Sequence, residues 1–141
     1  MKKISEATIE KLLAEARDAR RFSYAPYSHL HIGAAVLGKN RAIFKGCNIE
    51  NMSYGVTMCA ERVAIFNAIS SGVPEIEALA ISCEGEELCY PCGACRQVIS
   101  EFSKNALIII GADGGKYVTE SIEELLPRGF SSQKLKSPKD C

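Results

Sequence analysis

The chain carries no net charge, since 17 Lys and Arg residues balance 17 Asp and Glu residues. It also lacks a long basic run. Both absences speak against non-specific nucleic-acid binding, which needs positive charge gathered along one face to meet the phosphates. No stretch approaches the ~20 apolar residues that a membrane span requires. The first residues, Met1-Lys2-Lys3-Ile4-Ser5-Glu6, lack the apolar run of a signal peptide. Internal repeats and low-complexity tracts are missing too. What remains is a chain of 141 residues, 47% of them hydrophobic. That is enough for an ordinary core, and it is read as one domain over 1–132 with a polar tail over 133–141. Seven cysteines without a secretory signal suit a reducing, cytoplasmic compartment, where thiols and metal ligation are expected rather than disulfides.

Cys59-Ala60-Glu61 and Pro91-Cys92-Gly93-Ala94-Cys95 carry the chemistry of the sequence. Three thiolates can hold a zinc ion and leave its fourth position open. A carboxylate two residues after the first thiolate can act on water there, which is the equipment of a hydrolytic catalyst rather than a structural clip. The spacing has a geometric condition. Mid-helix, residues two apart point roughly 200° away from each other, so Cys59 and Glu61 share a site most easily if Cys59 stands at the very start of a helix. Cys92 and Cys95 are three apart and fall on one face of a first helical turn. Both segments are therefore read as helix openings, and their partial positive charge favours thiolate over thiol. The pair of motifs matches the zinc-deaminase pattern in its three-cysteine form.

The rest of the chain frames these motifs. Ser5 caps a helix that carries Ile9, Leu12, Leu13 and Ala16 on one face. Ala25-Pro26-Tyr27-Ser28 interrupts it. Strands are expected over Ile32 to Leu37 and Ala42 to Cys47, joined by a Gly38–Arg41 turn into a hairpin. Asn48 to Thr57 reads as irregular. A helix from Cys59 to about Ser71, a strand from Ile76 to Cys83, an acidic loop, a helix from Cys92 to about Ser103 and a strand from Ala106 to Ile110 follow. Lys116 to Val118 reads equally as a short strand or a turn, and Ser121 to Leu126 as a short closing helix. The order predicts an α/β sheet with helices on its faces. The Cys59 helix is apolar on more than one side, the mark of burial between the sheet and another subunit.

Other readings stand beside the catalytic one. Cys59, Cys92 and Cys95 also fit buried thiols or a structural zinc, with Glu61 then a solvated acid of a first helical turn. Cys89, Cys92 and Cys95 open an iron–sulfur run, but Ile99-Ser100 stands where that run needs Cys-Pro, so Cys89 is read as a spare loop thiol. Cys47 and Cys83 read as core or strand residues. His29 and His31 alternate on an extended segment and fit a surface or subunit contact better than a metal site. Asn48 and Glu50 also fit a loop cap, and Phe130 a core position.

Beyond the two cysteine motifs, Tyr24-Ala25-Pro26-Tyr27-Ser28, Gly46-Cys47-Asn48-Ile49-Glu50-Asn51, Arg62, Arg96-Gln97 and Glu124-Leu125-Leu126-Pro127 stand in an order that resembles the small, homotetrameric, three-cysteine cytidine deaminases, from about Tyr24 to Ser132. The resemblance implies a three-layer α/β/α fold with a mixed five-stranded sheet between helices. It implies hydrolytic deamination of cytidine, and of deoxycytidine, in pyrimidine salvage, by zinc-activated water with Glu61 as proton shuttle. One zinc per chain would be held by Cys59, Cys92 and Cys95. Arg62 and Arg96 both sit beside ligands and can donate to thiolate sulfur; the resemblance assigns that role to Arg62. Asn48 and Glu50 would hold the ribose hydroxyls, while Leu30, Ala60 and Phe130 complete the substrate-binding set, Phe130 in a neighbouring subunit's site. The implied assembly is a homotetramer with shared active sites, its partner a small nucleoside and neither nucleic acid nor membrane. Leu30 departs from the family's usual phenylalanine; it keeps apolar contact but loses an aromatic edge worth about 0.5–1.5 kcal/mol. A blasticidin-type aminopyrimidine deaminase and a non-catalytic zinc module are the alternatives, the first disfavoured by Asn48-Ile49-Glu50.

Overall fold

The computed structural model of the chain describes residues 3–131. The proposed tail and Cys141 lie outside the described residues. Five strands form one mixed sheet: β1 (Ile32–Gly38), β2 (Ile43–Cys47), β3 (Ile76–Cys83), β4 (Leu107–Gly111) and β5 (Tyr117–Glu120). Their order across the sheet is β2-β1-β3-β4-β5. β3 and β4 run parallel, and the other neighbours antiparallel. The parallel pair needs a crossover connection. It is supplied by α3 (Gly93–Phe102), while α1 (Glu6–Ala19), α2 (Ala60–Ser70) and the short α4 (Ile122–Leu125) complete the helices.

Alternation along the strands separates the two faces. Ala34 and Val36 of β1, Leu79 and Ile81 of β3, and Ile108 and Ile110 of β4 pack with Ala64, Ile65 and Ala68 of α2, Ile99 of α3 and Leu125 of α4. Their neighbours Ala35, Leu37, Ala78, Ala80, Leu107 and Ile109 pack with Ile9, Leu12 and Ala16 of α1. The result is the expected three-layer α/β/α arrangement. β3 is the central strand and every one of its residues is buried, which explains the apolar run from Ala78 to Ile81 at its centre; Glu77 and Ser82 are its two buried polar residues. The predicted Ser5 cap is present, with the Ser5 hydroxyl accepting from the Thr8 amide at 3.3 Å. Lys116–Val118, undecided from sequence, resolves into the edge strand β5, which starts at Tyr117.

Close backbone approach, rather than turn chemistry, explains one glycine of the site. A Cβ on Gly46 of β2 would lie 2.4 Å from the Ala64 amide nitrogen and 2.7 Å from the Ala60 carbonyl oxygen of α2. Only glycine lets β2 lie directly against the first turn of α2. The contact fixes the helix opening that follows Cys59. Among the described residues, no helix is long and apolar enough to cross a membrane.

One sequence expectation needs correction. Cys83, read as a strand residue, and Cys89, read as a spare loop thiol, are joined in a disulfide. Their Cα atoms lie 6.0 Å apart, within disulfide reach, because the acidic loop folds back on itself. Gly85 adopts a φ of +89°, and Asp113 holds it there: the Gly85 amide donates to Asp113 Oδ2 at 2.9 Å, and the Asp113 amide donates to the Gly85 carbonyl at 2.8 Å. Arg20 closes the cluster by donating to both the Asp113 carboxylate, at 3.0 Å, and the Cys83 carbonyl, at 2.8 Å.

Candidate active site

Two helix openings meet at one point. Cys59 is the N-cap of α2 and Cys92 the N-cap of α3, both with extended backbone. Neither sulfur is spent on capping its own helix. Cys95 lies in the first turn of α3 and is buried. The three sulfurs lie within 4.8 Å of one another, and those of Cys59 and Cys92 are 3.7 Å apart. A tetrahedral zinc with Zn–S bonds of about 2.3 Å separates two ligating sulfurs by about 3.8 Å. The donor set and its spacing therefore fit zinc with a fourth position left over. In the thiol form, Cys95 donates to Cys59, and Arg62 and Cys92 add to that, so Cys59 is drawn down to about 5 while the Cys95 thiol is pushed well up.

Glu61 stands one residue inside α2 and is only 5% exposed. Burial pushes its carboxyl up to about 7, from the 4.5 of an ordinary glutamate, and the charge of Cys59 adds to the effect. A buried acid poised near neutrality can both take and give a proton at physiological pH. The solvated reading of Glu61 does not fit this burial.

Arg62 and Arg96, equal candidates by position, part company. Arg62 Nη2 donates to the Cys59 sulfur at 3.4 Å. Arg96 turns away from the sulfurs and donates through Nε to the Pro91 carbonyl and through Nη1 to the Leu125 carbonyl, each at 2.8 Å. Three thiolates on zinc carry a net −1 charge, and a guanidinium on one sulfur offsets it.

Asn48 and Glu50 lie on the segment between β2 and α2. Asn48 is buried. Its Oδ1 accepts from the Ile32 amide at 2.9 Å and from the Ser23 hydroxyl, and its Nδ2 donates to the Leu30 carbonyl at 2.7 Å. Asn48 thus ties the Leu30 strand entry to its own loop, with one amide hydrogen left over. Glu50 is accepted into the Tyr27-Ser28 turn: its Oε1 takes the amides of Tyr27 at 3.0 Å and Ser28 at 3.1 Å, and its Oε2 takes the Ser28 hydroxyl. These bonds, those of Ser28 foremost, hold the Glu50 carboxyl below its ordinary value. Glu50 lines a cleft of about 360 Å³ with Tyr27, Ser28, Tyr54 and Thr57. The tie from Glu50 to Ser28 links positions 22 apart, and no local signal in the sequence announces it.

The remaining candidates fall in three different settings. Ala60 is fully buried in the first turn of α2, beside Gly46. Leu30 is exposed just before β1. Phe130 is 61% exposed, which removes the core reading, and its carbonyl accepts from Gln97 Nε2 at 3.1 Å. His29 is exposed, with a positive φ of 59°.

Comparison with known proteins agrees with this geometry. The family model described as the cytidine and deoxycytidylate deaminase zinc-binding region matches residues 6–111. A cytidine deaminase of Sporosarcina psychrophila is 44% identical over 128 residues, covering 90% of this chain and 94% of that protein. One of Halalkalibacterium halodurans is 39% identical over 127 residues, covering 89% and 96%. The crystal structure of the Burkholderia pseudomallei cytidine deaminase superposes with a TM-score of 0.83 at 36% identity, covering 90% of this chain and 100% of that one.

Proposed function

The chain belongs to the cytidine and deoxycytidylate deaminase family, and from that premise we propose that it hydrolyses cytidine, and deoxycytidine, to uridine or deoxyuridine and ammonia, in pyrimidine salvage. The observation that carries the reading is the convergence of Cys59, Cys92 and Cys95 beside a buried carboxylate poised near neutrality. A zinc ion held by the three cysteines would supply the Lewis acidity that brings deprotonation of water into the neutral range. Glu61 takes the proton of the attacking water as the C4–O bond forms. It gives that proton to N3, then takes the proton of the new C4 hydroxyl and passes it to the departing amine as the C4–N bond breaks and the C4 carbonyl forms, a general acid/base role worth about 10²–10⁴ in rate. Its burial supports both halves of that cycle. Arg62 offsets the charge of the thiolates through Cys59.

For the substrate, the free amide hydrogen of Asn48 and the open lone-pair position of Glu50 are matched to ribose hydroxyls, and a carboxylate accepting from a hydroxyl is a strong pairing. Leu30 and Ala60 supply apolar contact to the base. Phe130, exposed on its own chain, covers the base of a neighbouring subunit in a homotetramer. Exposed apolar side chains support such an assembly: Phe66 is 42% exposed on α2, and Met52, Tyr54 and Val56 are more exposed still. Sedimentation should give a tetramer. Mixing Cys59→Ala subunits with Phe130→Ala subunits should restore some fully equipped sites, and a monomer with normal turnover would remove the shared-site model. Residence in the cytoplasm goes with this reading.

The direct test is absorbance-monitored deamination of cytidine by zinc-replete protein, with deoxycytidine, cytosine and cytidine monophosphate as competitors. Turnover of cytidine with competition by deoxycytidine is expected. A zinc-loaded, folded protein that leaves cytidine untouched would overturn the proposal in favour of the aminopyrimidine alternative or the non-catalytic one.

A further inference from the structure

Arg96 occupies a place that the chemistry above does not use. It follows the ligand Cys95, and its amide donates to the Cys92 carbonyl at 3.0 Å. Its side chain reaches two carbonyls in different parts of the chain. One belongs to Pro91, the residue before the ligand Cys92; the other belongs to Leu125, 29 positions away at the end of α4. The next residue, Gln97, donates to the Phe130 carbonyl. Two adjacent residues of α3 therefore hold the C-terminal arm at both ends, Leu125 and Phe130, and one of the two also grips the metal turn.

The physics of the pairing is specific. The last carbonyls of a helix have no intrahelical partner, and α4 is only four residues long. A cation at that end satisfies the carbonyl and suits the helix dipole. A guanidinium is a rigid plane whose donors keep fixed directions. Donors Nε and Nη1 on one plane thus fix the Leu125 carbonyl relative to the Pro91 carbonyl. A lysine offers a single flexible ammonium and cannot impose that relation.

We propose that Arg96 is a positioning residue that couples the Cys92–Cys95 metal turn to the C-terminal arm, so that the arm takes its place only when the turn is formed around its metal. The consequence for catalysis rests on the reading that Phe130 covers the substrate base; the mechanical coupling does not.

The chain contains no tryptophan, so Phe130→Trp makes a single reporter at the end of the arm. Its emission, excited where tyrosine does not absorb, is compared with and without zinc in three backgrounds: Arg96, Arg96→Lys and Arg96→Met. With Arg96, withdrawing zinc should shift the emission to the red and raise its quenching by acrylamide. With Arg96→Met, the zinc-loaded protein should already show the shifted, quenchable emission and change little on zinc removal. Arg96→Lys should fall between, and it carries the test if Arg96→Met does not fold. An identical zinc response in Arg96 and Arg96→Lys, or in all three, would overturn the coupling. In parallel, Arg96→Met in the Phe130 background should raise KM for cytidine by about tenfold with kcat near parental, the cost of losing hydrogen bonds from a charged group. A Phe130→Ala variant with parental KM would remove the base-covering role and leave the fluorescence result to decide the coupling alone.

Discussion

Helix α2 opens at Cys59 and helix α3 at Cys92, and each carries an arginine close behind, Arg62 three residues on and Arg96 four. One residue of spacing rotates a side chain by about 100° around a helix. That rotation sends Arg62 onto the Cys59 sulfur and Arg96 away from the sulfurs, onto the carbonyls of Pro91 and Leu125. The surroundings differ in the same sense. The first turn of α2 is pressed against Gly46 and buries Ala60 and Glu61, whereas Cys92 and the next two residues of α3 are exposed. Like openings thus serve unlike ends: in the proposed mechanism α2 supplies the acid/base and the charge compensation, whereas α3 supplies two sulfurs and the proposed hold on neighbouring chain segments. The position of a polar residue relative to a helix start tells what it can reach, and the packing of that start tells which of those options it takes.

The comparison breaks most severely at the sulfurs. Cys59→Ala and Cys92→Ala should each lower zinc content and cytidine turnover to background, because both helices contribute to one ligand set; metal analysis of purified protein checks this. Retention of zinc by either variant would mean that one helix holds the metal alone. The arginines sharpen the contrast at a smaller scale. Arg62→Gln should cost about 10–100-fold in zinc affinity or turnover, as losses of groups bonded to metal ligands do, with KM moving less than kcat. Arg96→Met should show the opposite split. Equal profiles for the two variants, by steady-state kinetics and chelator competition, would erase the distinction between the helices. The smallest effect belongs to the loop that leads into α3. Cys89→Ser removes the bond to Cys83, which closes a short loop worth about 2 kcal/mol by chain entropy. Urea unfolding without reductant should register that loss, while zinc content and turnover stay close to parental. Loss of metal from Cys89→Ser would place Cys89 in the ligand set and favour a closed structural site.

Much of this was legible beforehand, for identifiable reasons. The central strand Ile76–Cys83 announces itself because a strand buried on both faces is mostly apolar, here in the run Ala78 to Ile81. The metal set is legible because Cys92 and Cys95, three apart, share a face of a first helical turn, and Cys59 and Glu61, two apart, come together most easily at a helix start. β5 is not legible, since Tyr117–Glu120 is a half-buried edge strand with little apolar content to mark it. The Cys83–Cys89 bond depends on Asp113 folding the loop back at Gly85, a long-range contact that suppressed no local signal and created none. The fate of Arg96 likewise depends on α4 arriving beside α3. Asn48 and Glu50 stand in a motif that draws notice, but their bonds to Ser23, Tyr27 and Ser28 come from a segment that only the β1 hairpin brings near.

The central claim is that Glu61, rather than the metal set alone, makes the site a catalyst. Glu61→Gln replaces the carboxylate with a nearly isosteric amide that cannot accept a proton. The decisive measurement pairs zinc analysis with absorbance-monitored cytidine turnover on that variant. About one zinc per chain is expected, because the three thiolates form a single set, together with a loss of at least about 10²–10⁴-fold in turnover. A zinc-loaded Glu61→Gln protein that deaminates cytidine at near the parental rate would contradict the account.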